Sequence, residues 1–310
     1  MRQMIGGSRP WAMALAFLIA VVLPACGVNA GPRDPVEAAA PSPTGRPGSP
    51  SAGPSPSGTG SPTARPLTTS TRPTSIPSRF ATRPPGAGLP SGSQCAAWVN
   101  ARPRKENKGV NRRYNQATGQ RVDPRMFSGN DPRAAQRPAP RIDGRFTGTT
   151  EEVLRWAACK WGVDEDLVKA QAAIESWWRQ DTKGDFGTDP DRCPPGHGLG
   201  VDGRPGQCPE SYGILQNRYP YMASAFPGAV DSTAMSADLA YGIWRMCFEG
   251  YETWLNTVER GQRYRAGDAW GCVGRWFSGR WHTEAGEQYV ARVRDYLRQR
   301  IWEKSHFQQP

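Results

Sequence analysis

From residue 149 onward, apolar residues recur every three or four positions, a spacing absent from the first third of the chain. Thr149-Thr150-Glu151-Glu152 reads as a capping box, predicting a helix through Trp161 that Gly162 ends. Asp164 is an N-cap, and Glu165 and Asp166 put negative charge on the positive end of the next helix. In that helix Leu167, Ala170, Ile174 and Trp178 recur at core spacing, while Val168, Ala172 and Glu175 form the neighbouring stripe. A further helix is expected from Ser236 to Glu249, with Leu239, Ile243 and Met246 on one face and Gly250 as the stop. A short helix from Tyr251 to Arg260 should end at Gly261, and Asp268 caps one through Phe277, stopped by Gly279. Thr283 begins a long last helix with an apolar stripe of Val290, Val293, Leu297 and Ile301. No run alternates apolar and polar residues convincingly, and the expected fold is mainly α, with no internal repeat.

The chain before residue 147 is patterned differently. Arg2 and Arg9 precede an apolar run from Trp11 to Leu23, followed by Pro24-Ala25-Cys26. A basic start, a short apolar core and small residues describe a signal peptide over 1–25, too short for a comfortable membrane span. Leu23-Pro24-Ala25-Cys26 resembles a bacterial lipobox, which makes Cys26 the candidate lipidation site. Residues 26–93 then hold the lipid anchor site and a linker of Pro, Ser, Thr, Gly and Ala that cannot pack a core, an extended spacer in expectation. Residues 94–146 carry Arg102, Arg104, Lys105, Lys108, Arg112 and Arg113 among the anchors Cys95, Trp98, Tyr114 and Phe127, and read as a basic, irregular arm. The domain proper is expected over 147–310.

Charge narrows the partners. The formal net charge is +11 over 310 residues, which suits an anionic wall polymer, a membrane surface or a nucleic acid. An exported, tethered chain does not meet nucleic acid, so that partner is set aside. Setting Cys26 apart leaves six of the seven cysteines, an even number in an exported chain and therefore a disulfide set. Six cysteines allow fifteen pairings; the preferred ones are Cys193–Cys208, then Cys247–Cys272, and Cys95–Cys159 by elimination. No Cys-x-x-Cys occurs and the three histidines, His197, His282 and His306, are scattered, so no metal site and no cofactor are expected.

The chemistry centres on Glu175, in the last turn of its predicted helix. A helix C-terminus and apolar surroundings both disfavour an ionised carboxylate, and a glutamate protonated near neutral pH is what a general acid requires. Glu175-Ser176, followed later by Gly213-Ile214-Leu215-Gln216, resembles the soluble lytic transglycosylases of the lysozyme superfamily, which carry Glu-Ser and then a Gly-Leu-Met-Gln type segment. The resemblance spans roughly residues 147–302. It implies a lysozyme-like helical domain, and the 34 residues between Ser176 and Ser211 read as a disulfide-stapled loop beside its cleft.

The same resemblance implies cleavage of the MurNAc–GlcNAc bond of peptidoglycan by Glu175 alone, giving 1,6-anhydromuramyl ends. Ser176, Tyr212, Gly213 and Gln216 are then candidate substrate-binding residues, with Trp276 and Trp281 as stacking surfaces. The family's third motif, Ala-Tyr-Asn, has its nearest counterpart at Arg275-Trp276-Phe277, where the tyrosine hydroxyl is missing and Tyr241 or Tyr251 would have to supply it. A hydrolytic muramidase of the same fold is the first rival, with Asp185 as the candidate second carboxylate. A non-catalytic wall-binding lipoprotein is the second. Either way the expectation is a monomer in the cell envelope, lipid-anchored at the outer face of the cytoplasmic membrane, with glycan strands as its partner.

Overall fold

The computed structural model describes residues 77–261 and 263–308; the expected signal peptide, Cys26 and most of the expected linker lie outside them. Six helices of eight residues or more are present among the described residues: α1 (Gly92–Asn100), α2 (Thr150–Trp161), α3 (Glu165–Ser176), α4 (Thr233–Phe248), α5 (Ala269–Ser278) and α6 (Glu284–Gln299). Their ends follow local chemistry. Thr149 and Glu152 form the expected capping box, with Gly162 left-handed at the other end. The Asp164 side chain accepts from the Asp166 and Leu167 amides, and Asp268 and Thr283 cap α5 and α6.

Helix α4 is the centre of the core: every one of its residues is buried. It is enclosed on every face, so that even its Asp238 and Arg245 are buried and must find partners there. α2 and α5 pack on α4, α1 and α3 pack on α2, and α6 crosses both α3 and α5. The crossing of α3, α5 and α6 assembles the candidate site.

The fold is mainly helical, with one small addition and two helix expectations that fail. A small antiparallel sheet is present, β1 (Lys183–Gly187), β2 (Cys208–Tyr212) and β3 (Asn217–Arg218), in the order β1-β2-β3. β2 pairs Ser211 with Gly184 and with Arg218, and Tyr212 with Lys183 and with Asn217. No alternation betrays these strands, because β1 holds two glycines and β2 is buried on both faces. The helix expected over Tyr251–Arg260 is instead two 3₁₀ turns, Thr253–Asn256 and Val258–Arg260, split where Thr257 is extended. There the β-branched pair Thr257-Val258 disfavours helix continuation. Finally, Ile301 belongs to a separate turn after α6, which ends with Arg300 left-handed.

Packing also begins earlier than composition suggests. Phe80 is buried, and Gly86 donates to Glu249 Oε2 at 2.7 Å. The buried Arg245 guanidinium donates to the Arg83 and Pro84 carbonyls at 2.9 Å each. The following arm is docked in the same way. Asp238 Oδ2 accepts from Lys160 and from the Asp143 and Gly144 amides, at 2.7, 2.8 and 2.9 Å. Lys108, expected on a basic surface, is buried and donates to the Phe307 carbonyl. A buried charge is costly unless it finds partners: Asp238 pairs with Lys160 and Arg245 with Glu249, while Lys108 has the Phe307 carbonyl and ring.

All three preferred disulfides form: Cys95–Cys159, Cys193–Cys208 and Cys247–Cys272. The first ties α1 to α2, the second staples the loop between β1 and β2, and the third joins α4 to α5. Each removes freedom from the unfolded chain, the first most, since it closes the longest loop.

Candidate active site

Glu175 is half-buried in the last turn of α3. The Tyr289 hydroxyl, from α6, donates to its Oε1. Its carboxyl is pushed up to about 7 from an ordinary 4.5. Burial is the main cause. The Tyr289 hydrogen bond opposes it, the Asp185 charge adds to it, and the Trp276 indole hydrogen bond and the Arg292 charge oppose it. The group is thus divided between acid and carboxylate near neutral pH, which suits a residue that gives a proton and later takes one.

The donors around it are ordered. Tyr241 donates to Gln171 Oε1 at 3.3 Å, and the Gln171 amide is hydrogen-bonded to Tyr289 in turn. Gln171, Tyr241 and Tyr289 are all buried. Tyr241, Gln171 and Tyr289 thus stand in line behind the carboxyl, with the Tyr289 hydroxyl making the direct hydrogen bond. The tyrosine hydroxyl that meets Glu175 belongs to Tyr289, not to Tyr241 or Tyr251. Tyr241 is one step removed, and Tyr251 lies under the Arg133 guanidinium. Trp276 nevertheless meets Glu175, through its N–H. In sequence, the signal for Tyr289 is slight: an aromatic with a polar tip beside the apolar stripe of α6.

Ser176 and the Gly213–Gln216 turn are brought together, but as framework rather than as substrate contacts. Ser176 Oγ donates to the Ile214 carbonyl at 2.9 Å, fixing the end of α3 against the β2–β3 turn. Gly213 has φ +81°, and a Cβ there would lie 2.7 Å from Gln180 Nε2 and 2.8 Å from Ser236 Oγ. Gly213→Ala should accordingly destabilise the protein by about 1–3 kcal/mol in denaturant unfolding, from backbone strain plus the clash. Gln216 spends its amide hydrogens on the Gly213 and Thr182 carbonyls, at 2.9 and 3.2 Å. Its donors therefore hold the hairpin, not a ligand. The residue sequence reasoning missed here is Gln180, buried, whose Oε1 accepts from the Ile214 amide at 3.0 Å and whose amide reaches the Ala229 carbonyl.

Two expected stacking or cleft residues are corrected. Tyr212 is 1% exposed and packs between His197 and Phe226. Trp281 is 4% exposed, set against Tyr264 and against Gly271, where a Cβ would meet its ring at 2.5 Å. Both are core, because strand pairing turns one inward and the α5–α6 connection folds the other under α5. Trp276 alone of these three reaches the site.

Asp185 is exposed, with φ +50°, and its Oδ2 accepts from Ser211 at 2.5 Å. It is the carboxylate whose charge is felt at Glu175. Among the described residues no group of His, Cys, Asp and Glu has metal-binding geometry, and no helix is long and apolar enough to cross a membrane. A separate cavity of about 320 Å³ lies under the chain from Pro77 to Pro90, against Trp98 and Gly162; no carboxylate lines it. Comparison with family models, curated proteins and solved structures finds no match to this chain.

Proposed function

We propose that the protein cleaves the MurNAc–GlcNAc linkage of peptidoglycan, with Glu175 as the single acid and base, leaving 1,6-anhydromuramyl ends. The observation that carries this is a half-buried glutamate raised to about 7, with the Tyr289 hydroxyl donating to it and the Trp276 indole beside it. Protonated Glu175 gives its proton to the glycosidic oxygen as the C1–O bond breaks and positive charge grows on the sugar. The resulting carboxylate then takes the proton of that sugar's own 6-hydroxyl, whose oxygen bonds to C1. No water is consumed and Glu175 ends protonated. The Tyr289 and Trp276 donors favour the intermediate carboxylate, so the group is stabilised in both states it must visit.

Cys26, at the end of the signal-like segment, would carry the lipid that holds the enzyme at the outer face of the cytoplasmic membrane, with the linker giving it reach into the wall. Purified protein incubated with sacculi, followed by mass spectrometry of the released fragments, tests the reaction. Anhydro termini support it. Reducing termini would mean hydrolysis, the second reading, which Asp185 favours by standing exposed within electrostatic reach of Glu175. No release at all would leave a wall-binding protein.

A further inference from the structure

The rim of the Glu175 site carries two groups that the acid–base chemistry leaves unused, Phe277 and Arg292. Phe277 is 51% exposed. It stacks in parallel on the Tyr289 ring, centroids 4.8 Å apart and planes within 6°. The ring beneath it is thus the one whose hydroxyl holds Glu175. The other large exposed aromatic among the described residues, Tyr221, lies beside Arg192 and Arg218, both of which are paired to Glu210. The cation beside Phe277 is different.

Arg292 is exposed, 5.9 Å from both the Phe277 and the Tyr289 ring centroids, and its charge is felt at Glu175. No carboxylate lies within salt-bridge distance of it among the described residues. The acids of its own helix are engaged elsewhere: Glu284 with Gln288, Glu287 with His282, Asp295 with Arg298 and Gln299. An aromatic face open to solvent, stacked on the ring that aims the acid, with an unpaired guanidinium near both rings, has the composition of a ligand subsite. Flat aromatic rings receive the C–H faces of sugars, and a guanidinium receives a carboxylate through two parallel hydrogen bonds.

We propose that Phe277 and Arg292 form a subsite for a sugar ring bearing a carboxylate, adjoining the bond that Glu175 cleaves. This rests on the glycan-cleaving reading and deepens it by specifying charge as well as shape. The carboxylate has two sources in a wall glycan: the lactyl acid of a muramic residue stripped of its peptide, or the acids of the stem peptide itself. Seating either one on Arg292 also cancels the positive field that holds part of the Glu175 population ionised. Substrate binding then favours the protonated acid that the first step needs.

The Glu175→Gln chain, which cannot turn substrate over, is titrated calorimetrically with three tetrasaccharides. These are chitotetraose, a peptide-free MurNAc–GlcNAc tetrasaccharide, and the same glycan carrying stem peptides. The expected result is binding of one or both acidic glycans about tenfold more tightly than chitotetraose, an advantage that Arg292→Gln removes and that high salt weakens. Phe277→Ala should weaken all three. If only the peptide-bearing glycan gains, the stem peptide supplies the carboxylate; if the peptide-free one gains, the lactyl acid does. Equal binding of all three with Arg292 present overturns the proposal and leaves glycan cleavage standing. So does an Arg292→Gln loss as large for chitotetraose as for the acidic glycans. Binding of none, together with no fragment release by the wild-type chain, overturns both.

Discussion

Glu175→Gln should lower fragment release from sacculi by about a thousandfold or more, the scale expected when a positioned general acid is removed. An amide has the size of the carboxyl but gives no proton to the leaving oxygen and takes none from the 6-hydroxyl. Binding of glycan should survive, because the Tyr289 and Trp276 donors still find an acceptor oxygen. The same substitution should stabilise the fold above neutral pH. The native carboxyl sits near 7 and the unfolded one near 4.5. Between those values the native state keeps a proton that the unfolded state has lost, so stability falls as pH rises through that window. Removing the ionisable group removes that loss, a gain of about 1–3 kcal/mol at pH 8 once partial exposure is allowed for. Chemical denaturation of both chains at pH 5 and pH 8 reads it: the difference should be small at the lower pH and favour the variant at the higher. Glu252, buried and likewise raised to about 7, adds to the decline in both chains equally.

Tyr289→Phe should cost about tenfold to a hundredfold in cleavage while leaving the fold intact, since only a hydroxyl is lost from a ring still stacked on Phe277. Its signature is in the pH profile. The hydroxyl donates to the carboxylate and so favours the ionised form. Without it the carboxyl rises further, and the alkaline limb of activity, set by loss of the Glu175 proton, moves to higher pH. A merely structural role would lower activity without moving that limb. Gln171→Leu should shift it in the same direction by a smaller amount, because it loosens Tyr289 rather than deleting the donor.

How much of this was legible before the structure depends on range. Caps and stops are local, so Thr149, Asp164, Asp268, Thr283, Gly162 and Gly279 fix helix ends that the chain itself announces. The position of Glu175 in a final turn follows from the same signals. Tyr289 does not, since it is 114 residues away and helix phase alone does not say which tip meets which partner. The sheet was hidden because β1 is glycine-rich and β2, with Pro209, is buried on both sides. The docking of the arm was hidden for another reason. Lys108 reads as part of a basic arm, and charged types such as Arg155, Lys160, Asp238 and Arg245 are ordinarily exposed; their burial depends on partners distant in the chain, Phe307, Arg102, Asp238, Lys160 and Arg83, that local pattern does not reveal. Ser176 and Gln216, expected to meet substrate, instead spend their donors on the Ile214, Gly213 and Thr182 carbonyls and so hold the end of α3 and the β2–β3 turn in place.

Everything turns on the protonation of one side chain at the junction of α3, α5 and α6. Carbon-detected NMR of the full chain with labelled glutamate, assigned by the signal that vanishes in Glu175→Gln, follows that carboxyl directly through pH. A midpoint near 7, moving upward in Tyr289→Phe, is the predicted result. A midpoint at the ordinary 4.5, unmoved by the loss of the hydroxyl, would contradict it.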